Sequence, residues 1–267
     1  MRHRKVFITT PSGRMKLIIL EPEEKSSPVP GILWIHGGGY TTGMAAMVYD
    51  SCGKLLARKY GAVVVSPEYR LSWIAPYPAA LKDCYAALAY MWDYAEELNI
   101  DRSRIIVGGE SAGGGLAAAV CLFARDQREI PVRMQLPLYP MLDCEDTDSS
   151  RDNHGKGWNT KKNHRGWQKY LGALYGTDHV PAYASAARAD DVSGLPPCYT
   201  FVADGEPFYS ETLTYVRRLK EAGVSAACDV YPGNVHAFDL LRPWRKESRL
   251  ARKRLLEAYE KEIMQKP

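Results

Sequence analysis

Residues 104–124 constrain the fold more than any other stretch of the chain. A short apolar run, Arg104–Val107, passes without a linker into Gly108-Gly109-Glu110-Ser111-Ala112-Gly113-Gly114 and then into the small-residue segment Gly115–Ala124. A strand that turns through glycines straight into a helix is the junction from which parallel sheets are built, because the helix carries the chain back to the edge where the next strand starts. The same alternation recurs elsewhere. Strand-like runs at Ile32–Ile35, Ala62–Ser66, Gln135–Tyr139, Tyr199–Ala203 and Ala226–Tyr231 interleave with helical patterns at Tyr49–Lys59, Leu81–Leu98, Glu211–Ala222 and Lys246–Met264. The unbroken run Ala62–Ser66 suits a strand covered on both faces. Two more strands, Val6–Thr9 and Lys16–Leu20, open the chain around the turn Pro11-Ser12-Gly13, and a polar loop from Glu21 to Pro30 follows them. The pattern predicts an α/β fold with a mostly parallel central sheet and helices on both faces.

One stretch departs from the alternation. From Asp143 to about Leu195 the chain is polar, with Trp158, Trp167, Tyr170, Tyr175 and Tyr183 scattered through it. No repeat, low-complexity tract or linker accompanies it. The expectation is a single domain over residues 1–267, with a small lid-like insertion at about 143–195. A chain of 267 residues is long enough to bury a sizeable core in one such domain.

Charge and cysteine usage narrow the function classes. The formal net charge is only +4, and the basic residues near the C-terminus (Arg242, Arg245, Lys246, Arg249, Arg252, Lys253, Arg254) interleave with Leu250, Leu255, Leu256 and Tyr259 at helical spacing. That is the solvated face of a last helix, so neither a nucleic-acid partner nor a membrane partner is expected. The six cysteines form no C-x-x-C pair and no zinc-like spacing, which reads as reduced thiols in a cytoplasmic protein without a metal site. The basic start Met1–Lys5 is followed only by Val6-Phe7-Ile8 before polar residues intervene, too short for the apolar core of a signal peptide. No run is long enough to span a bilayer.

Gly109-Glu110-Ser111-Ala112-Gly113 fits G-x-S-x-G, and its setting between a buried strand and a helix gives the motif its meaning. A serine there sits on a sharp turn with its hydroxyl exposed above the sheet, and the flanking glycines keep β-carbons out of the crowded corner. The helix N-terminus behind it favours negative charge on a reacting carbonyl. A phosphate loop would require Lys-Ser or Lys-Thr after the glycines, and a dinucleotide loop would require G-x-G-x-x-G near the first strand. Neither is present. Upstream, His36-Gly37-Gly38-Gly39 follows a buried strand and precedes Tyr40. Consecutive glycines let backbone N–H groups converge on one point, as an oxyanion requires; removing one such donor costs about two to three orders of magnitude in rate.

Gly31–Tyr40, Tyr69-Arg70-Leu71 with Pro76-Tyr77-Pro78-Ala79-Ala80, Gly109–Gly114 and Ser193-Gly194-Leu195-Pro196-Pro197 together resemble the hormone-sensitive-lipase-like esterases, bacterial esterase family IV, in order and over nearly the whole chain. The resemblance implies an α/β-hydrolase fold. It also implies that Gly38, Gly39 and Ala112 donate the oxyanion N–H groups. In this fold the catalytic residues follow the order serine, acid, histidine. Of the histidines after Ser111, His154, His164 and His179 lie in the insertion. His236 follows the strand ending at Tyr231 and the turn Pro232-Gly233-Asn234, where the base belongs. His236-Ala237-Phe238 replaces the family's usual His-Gly-Phe.

The acid departs from the family pattern Asp-Pro-Leu. Here the segment is Asp204-Gly205-Glu206-Pro207-Phe208. Alignment on the proline points to Glu206, and Asp204 stays open as its rival, with Asp143 a distant third. Either carboxylate could orient an imidazole. Asp239 stands too near His236 in sequence. Glu110, a carboxylate inside an apolar turn, needs a partner, and Arg70 is the candidate.

The family's N-terminal helical cap is expected to be reduced, since the chain enters its first strands at once. A reduced cap implies an open site for short, acetyl-like esters of carbohydrates or other small alcohols. The insertion's aromatics, Trp158 in particular, together with Tyr40, Phe208 and Tyr209, are the candidate pocket residues. No cofactor is implied, and a homo-oligomer stays open. A peptidase or amidase, or a non-catalytic small-molecule receptor on the same scaffold, are the alternative functions.

Overall fold

The computed structural model describes residues 1–24, 27–233 and 235–264. Asn234 and two residues of the Glu21–Pro30 loop, Lys25 and Ser26, therefore lie outside the described residues. Eight strands form one sheet: β1 (Arg2–Thr10), β2 (Gly13–Glu21), β3 (Val29–Ile35), β4 (Val63–Pro67), β5 (Ile100–Glu110), β6 (Met134–Leu138), β7 (Cys198–Ala203) and β8 (Ala226–Tyr231). Their spatial order is β1-β2-β4-β3-β5-β6-β7-β8. The β1–β2 and β2–β4 pairings are antiparallel. From β4 to β8 every neighbouring pair is parallel.

Eight α-helices join them: α1 (Cys52–Tyr60), α2 (Ala79–Asp93), α3 (Ala95–Leu98), α4 (Ala112–Gln127), α5 (Thr160–Leu171), α6 (Tyr209–Glu221), α7 (Phe238–Leu241) and α8 (Lys246–Met264). The long helical pattern ending at Leu98 is interrupted at Tyr94 (φ −100°, ψ 25°), a break that apolar spacing does not reveal. Helix α4 begins three residues before the expected start, because Gly113 and Gly114 are themselves helical.

Strand side chains alternate between the two faces with the period of two that a pleated strand dictates. Leu33 and Ile35 of β3, Val63 and Val65 of β4, and Ile105 and Val107 of β5 enter one core with α2, α4 and α6. Ile32 and Trp34, Val64 and Ile106 enter the other, which α1 and α8 close through Leu56, Ala251, Leu255 and Tyr259. Among the described residues no helix is long and apolar enough to cross a membrane. Because β3, β5, β7 and β8 run in one direction, the loops after Ile35, Glu110, Ala203 and Tyr231 all leave from the same rim. That rim is where open α/β sheets hold their ligands.

Candidate active site

Ser111 occupies the step from β5 to α4 with φ 58° and ψ −121°, a backbone region that a side-chain-bearing residue enters only under constraint. The constraint is visible. Its N–H donates to Leu138 O, and its carbonyl accepts from the N–H groups of Gly115 and Met141, all at 3.0 Å. The neighbouring glycine is sterically required: a β-carbon on Gly113 would stand 2.1 Å from Ile35 O.

The loop after β8 brings His236 to this serine. Its Nε2 lies 2.9 Å from Ser111 Oγ. Its Nδ1 is hydrogen-bonded to Glu206 Oε2, and the other carboxylate oxygen of Glu206 accepts the Ala203 N–H at 2.9 Å. Glu206 is buried. Asp204 turns elsewhere, accepting the Gly233 N–H at 2.8 Å and so pinning the turn that leads to His236. Asp143 accepts from the N–H of Glu145. Asp239 is buried and takes a contact from the Cys52 thiol. The structure therefore places Glu206, of the four carboxylates, against the imidazole.

The glycine loop folds back beside the same hydroxyl: a β-carbon on Gly37 would lie 3.2 Å from Ser111 Cβ. Gly38 (φ 120°) and Gly39 (φ 58°) both adopt left-handed backbone. The Gly38 carbonyl is occupied by the N–H groups of Thr41 and Thr42. Among the described residues, no backbone acceptor takes the N–H of Gly38, Gly39 or Ala112. His36, which opens the loop, is a packing residue. It stacks on Tyr69 at 4.2 Å between ring centres and donates from Nδ1 to Gly37 O. Burial pushes its pKa down to about 4, against a smaller opposing effect of that hydrogen bond.

Rings surround the imidazole. Phe208 and Tyr139 meet it edge-on at 5.0 and 5.2 Å, and Trp158 stands at 6.4 Å. The Trp158 ring also covers the glycine loop, since a β-carbon on Gly39 would lie 2.1 Å from its Cη2. Two of the four expected pocket residues are thus at the site, and two are not. Tyr40 is buried, stacked on Tyr170 at 3.9 Å, with its hydroxyl donating to Met141 O; its ring is spent on the core. Tyr209 packs against the α1–α8 core. Tyr139 was missed by sequence reasoning, although an aromatic at the C-terminal end of β6 was the available signal. The expected Arg70–Glu110 pairing does not form either. Arg70 holds Asp83 with two nitrogens at 2.8 Å. Glu110 accepts instead from Trp34 Nε1 at 3.0 Å and the Cys52 N–H at 3.3 Å. Burial, and then the nearby Asp239, raise its pKa to about 8.

A serine on a strained strand-to-helix turn, hydrogen-bonded to an imidazole that a buried carboxylate orients, defines a class: α/β proteins built to activate a hydroxyl for attack on a carbonyl. The comparisons agree with that class. Residues 32–240 match the family model for the alpha/beta hydrolase fold, and the chain belongs to that family. It is 32% identical over 218 residues to the esterase LipI of Mycobacterium tuberculosis, covering 81% of this chain and 67% of that protein. It is 33% identical over 215 residues to the carboxylesterase NlhH of the same organism, covering 79% of this chain and 66% of that one. The chain thus matches about two thirds of the length of each relative. Among solved structures, a bacterial heroin esterase superposes with a TM-score of 0.94 at 36% identity, over 99% of this chain and 85% of that one.

Proposed function

We propose that this chain is a serine carboxylic ester hydrolase working through an acyl-enzyme. The observation that carries the reading is the unbroken line Glu206–His236–Ser111 at the rim of the sheet. His236 takes the proton from Oγ as Ser111 attacks the ester carbonyl. The charge that develops on the carbonyl oxygen is met by the N–H groups of Gly38, Gly39 and Ala112. His236, now an imidazolium held by Glu206, returns the proton to the departing alcohol and then activates the water that releases the acid. The names of the relatives, an esterase and a carboxylesterase, support the reaction class.

Small acyl groups fit the site best. In place of the open site expected from a reduced cap, Trp158 and Phe208 crowd the imidazole and only 7% of Ser111 is exposed, so little room remains beside the hydroxyl for a long chain. A series of nitrophenyl esters of increasing acyl length tests this. Turnover should be highest for acetyl to butyryl esters, and fastest turnover on long-chain esters would refute the short-acyl reading. Labelling by a neutral organophosphonate tests the reaction itself, with an adduct expected on Ser111 and absent in Ser111→Ala. In the same assay Glu206→Gln should reduce turnover by about three to four orders of magnitude, as loss of the orienting carboxylate does in other serine hydrolases, while Asp204→Asn stays near wild type. The reverse ranking would move the acid to Asp204.

A further inference from the structure

Beyond the oxyanion loop lies a cleft of about 410 Å³ whose walls include Thr42, Trp73, Trp158, Lys162, Arg165 and Lys169, with no carboxylate among its lining residues. It adjoins the reaction centre, the two sharing one side chain as a common wall. Trp158 forms part of the cleft and at the same time covers Gly39. Thr41 and Thr42, which follow the glycine loop by two and three residues, form the adjoining wall.

Three cations reach this cleft from one helix, at positions 162, 165 and 169 of α5. Lys162 is engaged, its Nζ donating to the carbonyls of Gly157 at 2.7 Å and Lys156 at 3.4 Å. Arg165 and Lys169 form no ion pair with any carboxylate among the described residues. Of the insertion's acids, Asp146 pairs with His164 and the exposed Asp152 with His154, Asp178 is exposed, and none lines the cleft. Two uncompensated cations over an indole-lined cleft make a receptor for a negative charge carried on an apolar body. A cationic substrate could use the faces of Trp73 and Trp158, but it would meet the repulsion of Arg165 and Lys169 in the same wall.

We infer that the cleft is a substrate subsite, and that the preferred esters carry an anionic group, a carboxylate or a chemically similar oxyanion, on the part of the molecule that extends past Trp158 toward Arg165 and Lys169. The inference rests on the ester-hydrolase reading and specifies its substrate class.

The test compares charge at fixed size. Mono-4-nitrophenyl glutarate is set against 4-nitrophenyl 5-methylhexanoate for a charge on the acyl side, and 4-acetoxybenzoate against 4-acetoxybenzamide for a charge on the alcohol side. In at least one pair the anionic ester should have the higher kcat/KM. Arg165→Gln combined with Lys169→Gln should lower kcat/KM for that anion by roughly tenfold, leave its neutral partner within about twofold, and remove most of the salt dependence, as expected for exposed charges acting at short range. Both substitutions lie on the exposed face of α5, away from Ser111, His236 and Glu206, so neutral-ester turnover reports that the variant is folded. Preference for the neutral ester in both pairs overturns the subsite. So does an anion preference that survives the double substitution, or an equal loss for both esters. These results differ from failure of the hydrolase reading itself, which would show as no turnover of any ester and no phosphonate adduct on Ser111.

Discussion

At position 111 the backbone is held at φ 58°, ψ −121° by three hydrogen bonds from neighbouring elements, and a residue with a β-carbon resists that region by roughly 1–3 kcal/mol. Glycine does not. Ser111→Gly and Ser111→Ala should both abolish turnover, yet the glycine variant should be the more stable. Glycine's extra freedom in the unfolded chain offsets part of the relief, so the difference should be about 1 kcal/mol, or roughly 2–4 °C in melting temperature for a chain of this size. Equal melting temperatures would mean that the turn carries no strain. His36 gives a second test at this scale. Its folded pKa of about 4 lies below the ordinary 6.5 because burial disfavours the charged ring. From about pH 6.5 down to about 4 the unfolded chain therefore binds a proton that the folded chain refuses. Stability is lost as the pH falls through this window, by about 3 kcal/mol in total, and the effect levels off below it. Glu110 runs the other way: raised from 4.5 to about 8, it stabilises fully below about pH 4.5 and loses that contribution as the pH rises from there to about 8, a window that overlaps the His36 window only in part. The slope in a variant therefore isolates His36. In His36→Asn, urea midpoints measured across the window should fall less steeply with acid than in the wild type, whatever the variant's stability at neutral pH.

The eight strands were legible in the sequence because each is a short apolar run bounded by turn residues, and each of them packs on at least one side against a helix of matching pattern. Helix α5 was not. Its buried stripe is Asn163, Gly166, Trp167, Tyr170 and Leu171, at the i, i+3, i+4, i+7, i+8 spacing of a helix, but two of these five are not apolar, and Lys161, Lys162, His164 and Arg165 fill the positions between. The stripe was there, but only Trp167, Tyr170 and Leu171 carry it as large side chains, too few to stand out in so polar a segment. One local signal did mark its start. Asn159 caps the helix, its side-chain oxygen accepting the Lys162 N–H at 3.0 Å. Asn159→Ala should cost about 1 kcal/mol, the usual magnitude for a lost N-cap. Because α5 packs Trp167 and Tyr170 on Tyr40, just after the glycine loop, the same change should also reduce kcat/KM. A melting scan and a steady-state assay on one preparation check both. An unchanged melting temperature would show that the cap contributes nothing to holding the insertion.

Across the whole molecule, residues 111, 206 and 236 have no local reason to meet. They do so because β5, β7 and β8 are parallel members of one sheet and release their loops at the same edge. The sequence could therefore point to Ser111 from a G-x-S-x-G motif set between strand and helix, and to His236 from its place after a later strand. Alignment on Pro207 favoured Glu206 and left Asp204 open as its rival, since both leave the end of β7 within three residues. The geometry separates them: a local turn contact from the Ala203 N–H holds one oxygen of Glu206 so that the other meets the imidazole, while Asp204 is drawn across to the Gly233 N–H. Assembly by the sheet has a kinetic consequence. If Ser111 and His236 act as one device, removing either disables both, and a second removal has little left to take away. Ser111→Ala and His236→Ala should each lower kcat by roughly four to six orders of magnitude, and the double variant should lie within a few-fold of the singles. Independent contributions would instead multiply, driving the double variant far below either single. Burst-free ester hydrolysis by the three variants, measured against the uncatalysed rate, separates the two cases. A His236→Ala enzyme that kept more than about a tenth of wild-type turnover would break the link between the imidazole and the serine on which the chemistry depends.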